Sequence, residues 1–286
     1  EDNNKFKVKK SSKSPDLKAN MTKDKYLESI KKIKEYIKNG DIYQVNMTQR
    51  FETDLTQDPL NLYKKLREIN PAPFSAYMDL KDYQILSSSP ERFIKLKDNI
   101  LETRPIKGTR PRGENKKEDD LLKNELKNSK KDRSELLMIV DLERNDFSKV
   151  AKTSTVDVKE LFAIERYPTV FHLVSTIQCE LDKEYNYVDV LKACFPGGSI
   201  TGAPKIRAME IIDELEPTTR NLYTGSIGYI DFNGDMDLNI VIRTMLVKDK
   251  KVYFQVGGGI VWDSDPYDEY QESLDKAKAL IEALSV

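Results

Sequence analysis

The stretch GSIGYIDFNGDMDLNIVIRTMLVKDKKVYFQVGGGIV, residues 225–261, decides the fold class. It contains three strand-like runs, near 225–232, 236–247 and 251–261, with short turns between them. A turn such as Asn233-Gly234 connects antiparallel neighbours. Because helical patterns occupy much of the remaining chain, the sequence predicts an α+β protein.

The same spacing argument extends outward along the chain. Apolar periodicity predicts helices near 26–39, 58–70, 115–128, 132–146, 187–194, 203–216 and 266–284. It predicts strands near 42–51, within 74–103, and near 154–164 and 170–181. Residues 1–20 are rich in Lys, Ser and Asn, which is typical of a disordered leader or linker. We therefore expect one domain over residues 21–286.

Composition excludes several classes of function. The 286 residues include 47 basic and 48 acidic ones, and this net charge of -1 gives no reason to expect nucleic acid or a membrane as partner. The two cysteines favour a reducing compartment, and no secretory signal or membrane-length apolar run is visible. These features predict a cytoplasmic protein. Because the chain begins with Glu1, we expect a processed chain or part of a longer one.

Positive charge is concentrated in residues 104–112. The motif Pro105-Ile106-Lys107-Gly108-Thr109 is flanked by Arg104, Arg110 and Arg112. Such a cluster suits an anionic ligand, and crowding of like charges favours a neutral lysine amine. A neutral lysine can act as a nucleophile. The alternative interpretation is a basic surface turn.

Two predicted helices carry pairs of carboxylates. In the helix at 132–146, Glu135 lies on an apolar stripe, one turn after Asp132. In the terminal helix, Glu269 and Glu272 lie beside the apolar stripe. Two such pairs could hold a divalent cation, and all-oxygen ligation suits Mg²⁺. The alternative is that Glu135 lies at the edge of its stripe and reaches solvent.

Two glycine-rich segments suit close approach to a ligand. Gly257-Gly258-Gly259 ends an apolar strand, where glycines weaken the strand but leave N–H groups free for an anion. Residues 196–205, PGGSITGAPK, form a loop that opens onto a helix and could bind a carboxylate. This loop lacks the Gly-Lys-Ser/Thr ending of a nucleotide-binding loop.

Two further polar residues allow more than one interpretation. Arg243, inside the predicted strand 236–247, is either a core arginine paired with a structural acid or a clamp for a substrate carboxylate. His172 is the only histidine, and a lone histidine is more often structural than catalytic. No Ser/His/Asp or Cys/His pattern supports hydrolase chemistry.

Six separated stretches, in order, resemble the chorismate-utilising enzymes from about Lys23 to the C-terminus. They are GDIYQVN at 40–46, SPER at 89–92, PIKGT at 105–109, Glu135 with DLERND at 141–146, PGGSITGAPK at 196–205, and GGGIV at 257–261. Lysine at position 107 is typical of the members that aminate chorismate at carbon 4, whereas alanine is usual in those that form anthranilate, isochorismate or salicylate. Gln44 supports an aminating enzyme, because the water-activating members carry a lysine there.

The resemblance implies a role for each candidate residue. Glu91 resembles the general acid for the departing 4-hydroxyl, Lys107 the nucleophile at carbon 2, and His172 the catalytic histidine beside the ring hydroxyl. Residues that resemble the Mg²⁺ ligands and their water-bridged neighbours are Glu135, Glu272, Asp132 and Glu269. Residues that resemble the substrate-binding groups are Gln44, Thr109, Ser199, Tyr223, Arg243, Gly257, Gly258, Gly259 and Lys276.

The resemblance also implies an architecture and partners. It implies a four-layer α/β/β/α sandwich of two largely antiparallel sheets with the site in a cleft between them, and no N-terminal subdomain. It implies chorismate as substrate, Mg²⁺ as cofactor, and ammonia supplied by a glutamine amidotransferase subunit. The alternatives are an enzyme that forms anthranilate, and a truncated fragment that binds chorismate or an amidotransferase without turnover.

Overall fold

The computed structural model describes residues 14–167 and 170–285. Within these ranges every helix expected from apolar periodicity is present. The seven α-helices are α1 (Lys23–Lys38), α2 (Pro59–Ile69), α3 (Lys116–Asn128), α4 (Lys130–Ser148), α5 (Tyr187–Cys194), α6 (Lys205–Leu215) and α7 (Pro266–Leu284). A 3-10 turn lies at Gly198–Ile200.

Two antiparallel sheets contain the strands of the described ranges. The first has the order β1-β2-β14-β13-β4-β3, with β10 also paired to β2, and the second has the order β11-β12-β5-β6-β9-β7, with β8 beside β9. The strands are β1 (Lys18–Ala19), β2 (Gln44–Asp54), β3 (Phe74–Asp79), β4 (Tyr83–Ser89), β5 (Arg92–Lys97), β6 (Ile100–Arg104), β7 (Ile106–Pro111), β8 (Asp157–Arg166), β9 (Val170–Glu180), β10 (Gly202–Ala203), β11 (Gly228–Ile230), β12 (Met236–Asn239), β13 (Thr244–Lys248) and β14 (Lys251–Ile260).

Helices cover both sheets. An apolar cluster that includes Leu136 of α4 and Leu173 of β9 joins α4 and α5 to the second sheet. A second cluster, with Leu62 of α2 and Leu280 of α7, covers the first sheet, and a third joins α1 and α6 to β2. The α+β class and the α/β/β/α sandwich are therefore confirmed. Burial of these side chains is the main stabilising contribution to the fold.

The two helices that carry the candidate metal ligands begin at defined caps. Ser129 accepts a hydrogen bond from Asp132 N at the start of α4, at 3.3 Å. Asp265 accepts from Tyr267 N and Asp268 N at the start of α7, at 2.9 and 3.1 Å. Caps of this kind fix where a helix begins, and hence which side chains face the sheet.

The stretch 236–247 is not the single strand that its apolar pattern predicts. Met236–Asn239 is β12 of the second sheet, and Thr244–Lys248 is β13 of the first. The intervening residues carry the chain from one sheet to the other, and Arg243 adopts a left-handed conformation with φ of 51°. Ile240 and Val241 lie in the connection between the two strands and are also buried. The apolar pattern therefore continues across the break between β12 and β13.

Two further segments, the start of the described chain and the basic motif at 105–109, differ from what the sequence suggests. Residues 1–13 of the expected leader lie outside the described residues, but Lys18–Ala19 pair with Phe51–Glu52 of β2, so ordered chain begins before residue 21. The basic motif at 105–109 is not a surface turn, because four of its five residues, 106–109, belong to β7, which pairs with β9. In the described part of the chain, no helix is long and apolar enough to cross a membrane.

Candidate active site

Polar atoms without partners mark one place in the molecule. Among the described residues, the buried side-chain nitrogen and oxygen atoms that lack a hydrogen bond are Nε2 and Oε1 of Gln44, Oε1 of Glu91, Oγ of Ser199 and Oε2 of Glu269. All four residues were predicted from the sequence as site residues. Buried polar groups are normally paired, and leaving one unpaired costs about 1–3 kcal/mol. Such a concentration is expected where a polar ligand completes the bonding.

Lys107 is placed in this group by β7. Its Nζ donates to the carbonyl oxygen of Ser199 at 3.3 Å. The same Nζ lies 3.5 Å from the position that a Cβ on Gly259 would take. The lysine therefore lies between the 196–205 loop and the glycine segment of β14.

The three arginines near Lys107 are paired with carboxylates, whereas the sequence predicts that they gather around an anionic ligand. Arg104 pairs with Glu165, and Arg112 pairs with Asp119. Arg110 pairs with Glu125 at 2.7 Å and with Asp132 at 3.3 Å. Each guanidinium is thus compensated by a carboxylate of its own, and the charged neighbours of Lys107 are the carboxylates of the site.

Glu91 lies in the short connection between β4 and β5 and is 5% exposed. Burial raises the pKa of its carboxyl, and the positive charge of Lys107 acts in the opposite direction. A raised pKa keeps a carboxyl protonated nearer to neutral pH. Glu91 is therefore suited to donate a proton to a leaving group.

The glycines of β14 let other side chains approach each other. A Cβ on Gly258 would lie 3.2 Å from Glu269 Oε2, and one on Gly259 would lie 2.8 Å from Gln44 Nε2. A larger residue at 259 would displace the buried amide of Gln44. The glycines thus bring α7 and the start of β2 to the same ligand space.

The four candidate metal ligands lie near one another, but three of them have cationic partners, among them Glu269, whose Oε1 lies 3.6 Å from Lys131 Nζ. Glu272 contacts Lys276 at 2.7 Å, and Asp132 contacts Arg110 at 3.3 Å. Glu269 Oε1 accepts from the hydroxyl of Ser264 at 2.6 Å, which leaves Oε2 without a partner. Among the described residues, no group of three or more His, Cys, Asp or Glu side chains is assembled as a complete metal site.

This donor set fits Mg²⁺, which is usually bound by one or two carboxylates, water and an anionic substrate. Burial raises the pKa of the Glu135 carboxyl, against the opposing charges of Lys107 and Lys131. Burial acts in the same sense on Glu272, but the ammonium groups of Lys276 and Lys131 outweigh it and lower the pKa of that carboxyl. An ionised Glu272 and the free oxygen of Glu269 are suitable first contacts for the cation.

Lys276 extends from α7 to the glycine segment. Its Nζ donates to the carbonyl oxygen of Gly257 at 3.0 Å, in addition to its contact with Glu272. The ammonium is thus held beside the carboxylates of α7. This position suits a role next to an anionic substrate group.

His172 and Thr109 form one hydrogen-bonded pair. Thr109 Oγ1 and His172 Nδ1 are 2.9 Å apart, and the ring of Tyr167 packs edge-on against the imidazole. Burial, together with the nearby positive charge of Arg243, lowers the pKa of His172 to about 4. The imidazole is therefore neutral at physiological pH and can accept or donate one hydrogen bond.

Arg243 has no structural acid as partner. Its Nη1 donates to Asn70 Oδ1 at 3.4 Å, and no carboxylate of the described residues forms an ion pair with it. Burial lowers the pKa of its guanidinium. Of the two interpretations left open by the sequence, this geometry favours the clamp for a ligand carboxylate. Burial also raises the pKa of nearby Tyr223 to about 12, so its phenol stays neutral.

One cavity lies beside this group of residues rather than in it. It has a volume of about 270 Å³ and is bounded by the 220–223 loop and by strands β2, β13 and β14. Tyr223 is the only predicted site residue that lines it. The unpaired polar atoms identify the reaction site better than cavity volume, because they report chemistry that needs a ligand.

Sequence reasoning missed Glu143, which is 7% exposed. The buried face of α4 carries Leu136, Ile139, Val140, Glu143 and Phe147, so Glu135 lies at the edge of the stripe instead of on it. Burial and the negative charge of Glu91 raise the pKa of Glu143 to about 8. The signal in the sequence was an acid seven residues after the first buried leucine, on the same helix face.

The matching family is described as chorismate binding enzyme, over residues 2–282. The chain is 49% identical over 268 residues to aminodeoxychorismate synthase component 1 of Bacillus subtilis, covering 94% of this chain and 57% of that one. It is 47% identical over 277 residues to anthranilate synthase component 1 of Aquifex aeolicus, covering 96% and 56%. The chain therefore belongs to the chorismate-binding enzymes, and it spans a little over half the length of these relatives.

A solved structure agrees with this assignment. The structure of anthranilate synthase component I from Streptococcus pneumoniae superposes with a TM-score of 0.87 at 38% identity, covering 96% of this chain and 61% of that one. The resemblance inferred from the six stretches is confirmed at the level of the family. Relatives of two different reactions are similarly close, so the reaction itself has to be argued from the site.

Proposed function

We propose that the chain is the chorismate-converting part of an aminodeoxychorismate synthase component I, which replaces the 4-hydroxyl of chorismate with an amino group. The product, 4-amino-4-deoxychorismate, serves synthesis of 4-aminobenzoate and folate. The observation that supports this is the placement of Lys107. Its Nζ lies beside Ser199, Gly259 and the charge of Glu91, where an amine can reach a ring held by the clamp residues.

The first chemical step joins the substrate to the protein. After its ammonium has released a proton to solvent, the amine of Lys107 attacks carbon 2 of the ring, the two ring double bonds shift, and the bond from carbon 4 to its hydroxyl breaks. Glu91 transfers its proton to the departing oxygen, which leaves as water. A C–N bond thus replaces a C–O bond, Glu91 is left as a carboxylate, and the bonded nitrogen carries the positive charge of a secondary ammonium.

The second step releases the product. Ammonia attacks carbon 4, the double bonds shift back, and Lys107 leaves carbon 2 as a neutral amine. The net change is chorismate plus ammonia to 4-amino-4-deoxychorismate plus water. Gln44, whose amide is buried without a partner, is placed to hydrogen-bond the incoming ammonia or the ring substituent.

Several side chains would hold the substrate during both steps. Arg243 would bind one substrate carboxylate through two parallel hydrogen bonds, since it forms no ion pair with an acid of the described residues. Glu135 and Glu272, with Asp132 and Glu269 beside them, would hold Mg²⁺ against the ring carboxylate. When bound, Mg²⁺ supplies positive charge that stabilises electron density developing next to that carboxylate.

The nitrogen would come from a separate subunit. Both cysteines, Cys179 and Cys194, are buried, and burial raises the pKa of each thiol, which is unsuited to a nucleophile that hydrolyses glutamine. We therefore propose a glutamine amidotransferase partner, with free ammonia as a substitute at raised pH. The cytoplasmic location remains a prediction.

Formation of anthranilate is the second candidate, because a relative of that name is 47% identical. That reaction would add ammonia at carbon 2 and eliminate pyruvate. An amine occupying the space next to carbon 2 argues against it, since Lys107 would compete with ammonia there. The third candidate, a fragment without turnover, would bind chorismate and release nothing.

Product analysis separates the three candidates. The purified chain is incubated with chorismate, ammonia and Mg²⁺, and the mixture is resolved by liquid chromatography and mass spectrometry. We expect 4-amino-4-deoxychorismate. Fluorescent anthranilate and pyruvate in its place would establish the second candidate, and unchanged chorismate with measurable binding would establish the third.

A further inference from the structure

Glu143 is a buried acid that the proposed mechanism does not use. It projects from α4, and its Oε2 accepts one hydrogen bond, from Thr103 Oγ1 at 3.1 Å. A carboxyl with so little hydrogen bonding is costly to bury, and a leucine of similar size would avoid that cost. The group therefore calls for a chemical explanation.

Glu143 lies directly behind the turn that carries Ser199. A Cβ built on Gly198 would lie 3.6 Å from Glu143 Cγ, and Gly198 precedes Ser199. Ser199 and Glu91 belong to the group of unpaired atoms on the substrate side of this turn. Glu91 and Glu143 are close enough for the negative charge of Glu91 to raise the pKa of Glu143.

A small void lies on the core side. It has a volume of about 10 Å³, about the space of one water molecule, and is lined by Phe93, Ile94, Thr103, Glu143, Asp146, Phe147, Cys194, Gly197 and Gly198. The hydroxyl, the carboxylates and the glycine backbone supply enough polar partners for a water there. Such a water would lie between the Glu143 carboxyl and the backbone of Gly197 and Gly198.

The charged groups around Glu143 leave it as the available proton donor. Asp146 is bound by Lys149 at 2.8 Å and by Lys205, which also donates to Cys194 O at 2.9 Å. Glu91 faces it from the connection between β4 and β5. With its pKa raised to about 8, Glu143 is mostly protonated at neutral pH, whereas the paired Asp146 has no free donor role.

We propose that Glu143 holds the proton that is returned to Glu91 after each turnover, through the water-sized void behind the Gly197–Gly198 turn. This inference rests on the proposed function, because it requires Glu91 to lose a proton to the departing hydroxyl. The O–H bond of Glu143 breaks as that of Glu91 forms. Glu143, which retains a small exposed edge, then regains a proton from water.

The test compares two phases of the reaction in Glu143→Gln, a variant of the same volume and, at neutral pH, the same charge as the protonated acid. Without ammonia, formation of the Lys107 adduct uses the proton already on Glu91, so its rate stays within about twofold of the parent protein. With ammonia, steady-state turnover falls by roughly 10-fold or more, because Glu91 is reprotonated slowly. Glu143→Asp, which keeps the acid, recovers part of the rate.

The pH profile supplies a readout that a structural role would not move. At a fixed concentration of unprotonated ammonia, turnover of the parent protein declines as pH rises through about 8, where Glu143 loses its proton. Glu143→Gln lacks this decline, whereas the surface variant Glu184→Gln keeps it.

Equal steady-state rates and equal profiles in Glu143→Gln and the parent would overturn the inference, as would loss of adduct formation in a folded Glu143→Gln. Absence of both adduct and 4-amino-4-deoxychorismate in the parent protein would instead reject the proposed function.

Discussion

Arg220 and Arg243 both lie near the site, but their guanidinium groups differ in how many hydrogen bonds they form within the protein. Arg220 donates to Glu216 at 2.7 Å, to Ile200 O at 2.7 Å and to Asn46 O at 2.6 Å, which satisfies most of its guanidinium. Among residues 14–167 and 170–285, the side chain of Arg243 donates only to Asn70, at 3.4 Å. Both are cations held away from water. The guanidinium of Arg220 is hydrogen-bonded within the protein, whereas that of Arg243 has room for further acceptors, as the proposed carboxylate clamp requires.

Lysines and carboxylates show the same contrast. Lys205 contacts Asp146 and Cys194 O, whereas Lys107 donates to one carbonyl at 3.3 Å. Glu216 is bound by Arg220 and by Thr48, whereas Glu91 keeps an unpaired oxygen. A network in which every polar group has a hydrogen-bond partner stabilises the fold. Polar groups of the same residue types that lack partners indicate where a ligand could bind.

The largest effect is expected from the two carboxylates. Glu91→Gln should lower turnover by roughly 10²–10⁴-fold, because the departing hydroxyl loses its proton donor, while chorismate still binds. Glu216→Gln is the matched change in the network where every polar group has a partner. It should reduce the free energy of unfolding by about 3–5 kcal/mol, since it weakens the partner of a buried arginine. Steady-state kinetics, calorimetric binding and denaturant unfolding of both variants measure this, and normal turnover by a folded Glu91→Gln would contradict the assignment.

The two arginines should respond in opposite ways. Arg243→Ala should weaken chorismate binding by roughly 10–100-fold, the loss expected for a charge-assisted pair, without lowering stability. Arg220→Ala should destabilise the fold by about 3–5 kcal/mol because it leaves Glu216 unpaired. Titration calorimetry and urea unfolding compare the two. If Arg243→Ala unfolds as readily as Arg220→Ala and binds chorismate normally, the contrast between them is wrong.

Substitution of a carboxylate of α4 or α7 is expected to have a smaller effect on turnover, and one that depends on the Mg²⁺ concentration. Glu135→Gln keeps the side-chain volume but removes a charge, so the Mg²⁺ concentration for half-maximal turnover should rise by at least roughly 10-fold. Asp120→Asn, at an exposed acid of α3, is the control and should leave that concentration unchanged. Turnover measured across a Mg²⁺ series decides. Normal activity of Glu135→Gln at limiting Mg²⁺ would remove Glu135 from the metal site.

His172 should produce the smallest effect, visible in stability against pH. Its pKa is lowered to about 4 in the folded chain. Between that value and the unfolded value of about 6.5, the unfolded chain binds a proton that the folded chain does not. Stability contributed at this position is therefore present above about pH 6.5 and declines as pH falls to about 4, by up to about 3 kcal/mol. Unfolding free energies of the parent and His172→Asn, compared at several pH values, should differ by an amount that changes in this window and is constant above it.

The sequence predicted the elements whose signals lie close together in the chain. It missed the elements that depend on contacts between distant segments. Helix α7 was predicted with its bounds because Asp265, Pro266 and the apolar spacing are all local signals. The break in 236–247 was missed because the residues that cross between the sheets are themselves buried and apolar. Strand β7 was missed because Pro105 and Gly108 resemble a turn, and only its pairing with β9 makes it a strand.

The features of the candidate site also divide into those that the sequence predicted and those that depend on contacts between distant segments. The family resemblance of the spaced motifs, with the carboxylate pair of α7, was sufficient to gather Gln44, Glu91, Ser199 and Glu269, which all have unpaired buried atoms. Sequence could not show that Arg104, Arg110 and Arg112 have carboxylate partners, because those partners come from other parts of the chain. Nor could it show the burial of Glu143, because a shift of one position on a helix decides which side chain faces the core.

The central claim is that Lys107 forms a bond to carbon 2 of chorismate, and intact-protein mass spectrometry tests it most directly. Chorismate and Mg²⁺ are added without ammonia, and the protein is quenched, weighed and digested. We predict a mass increase equal to chorismate less one water on a peptide that contains Lys107, its disappearance when ammonia is added, and its absence in Lys107→Ala. An adduct that persists in Lys107→Ala, or full production of 4-amino-4-deoxychorismate by that variant, would contradict the account.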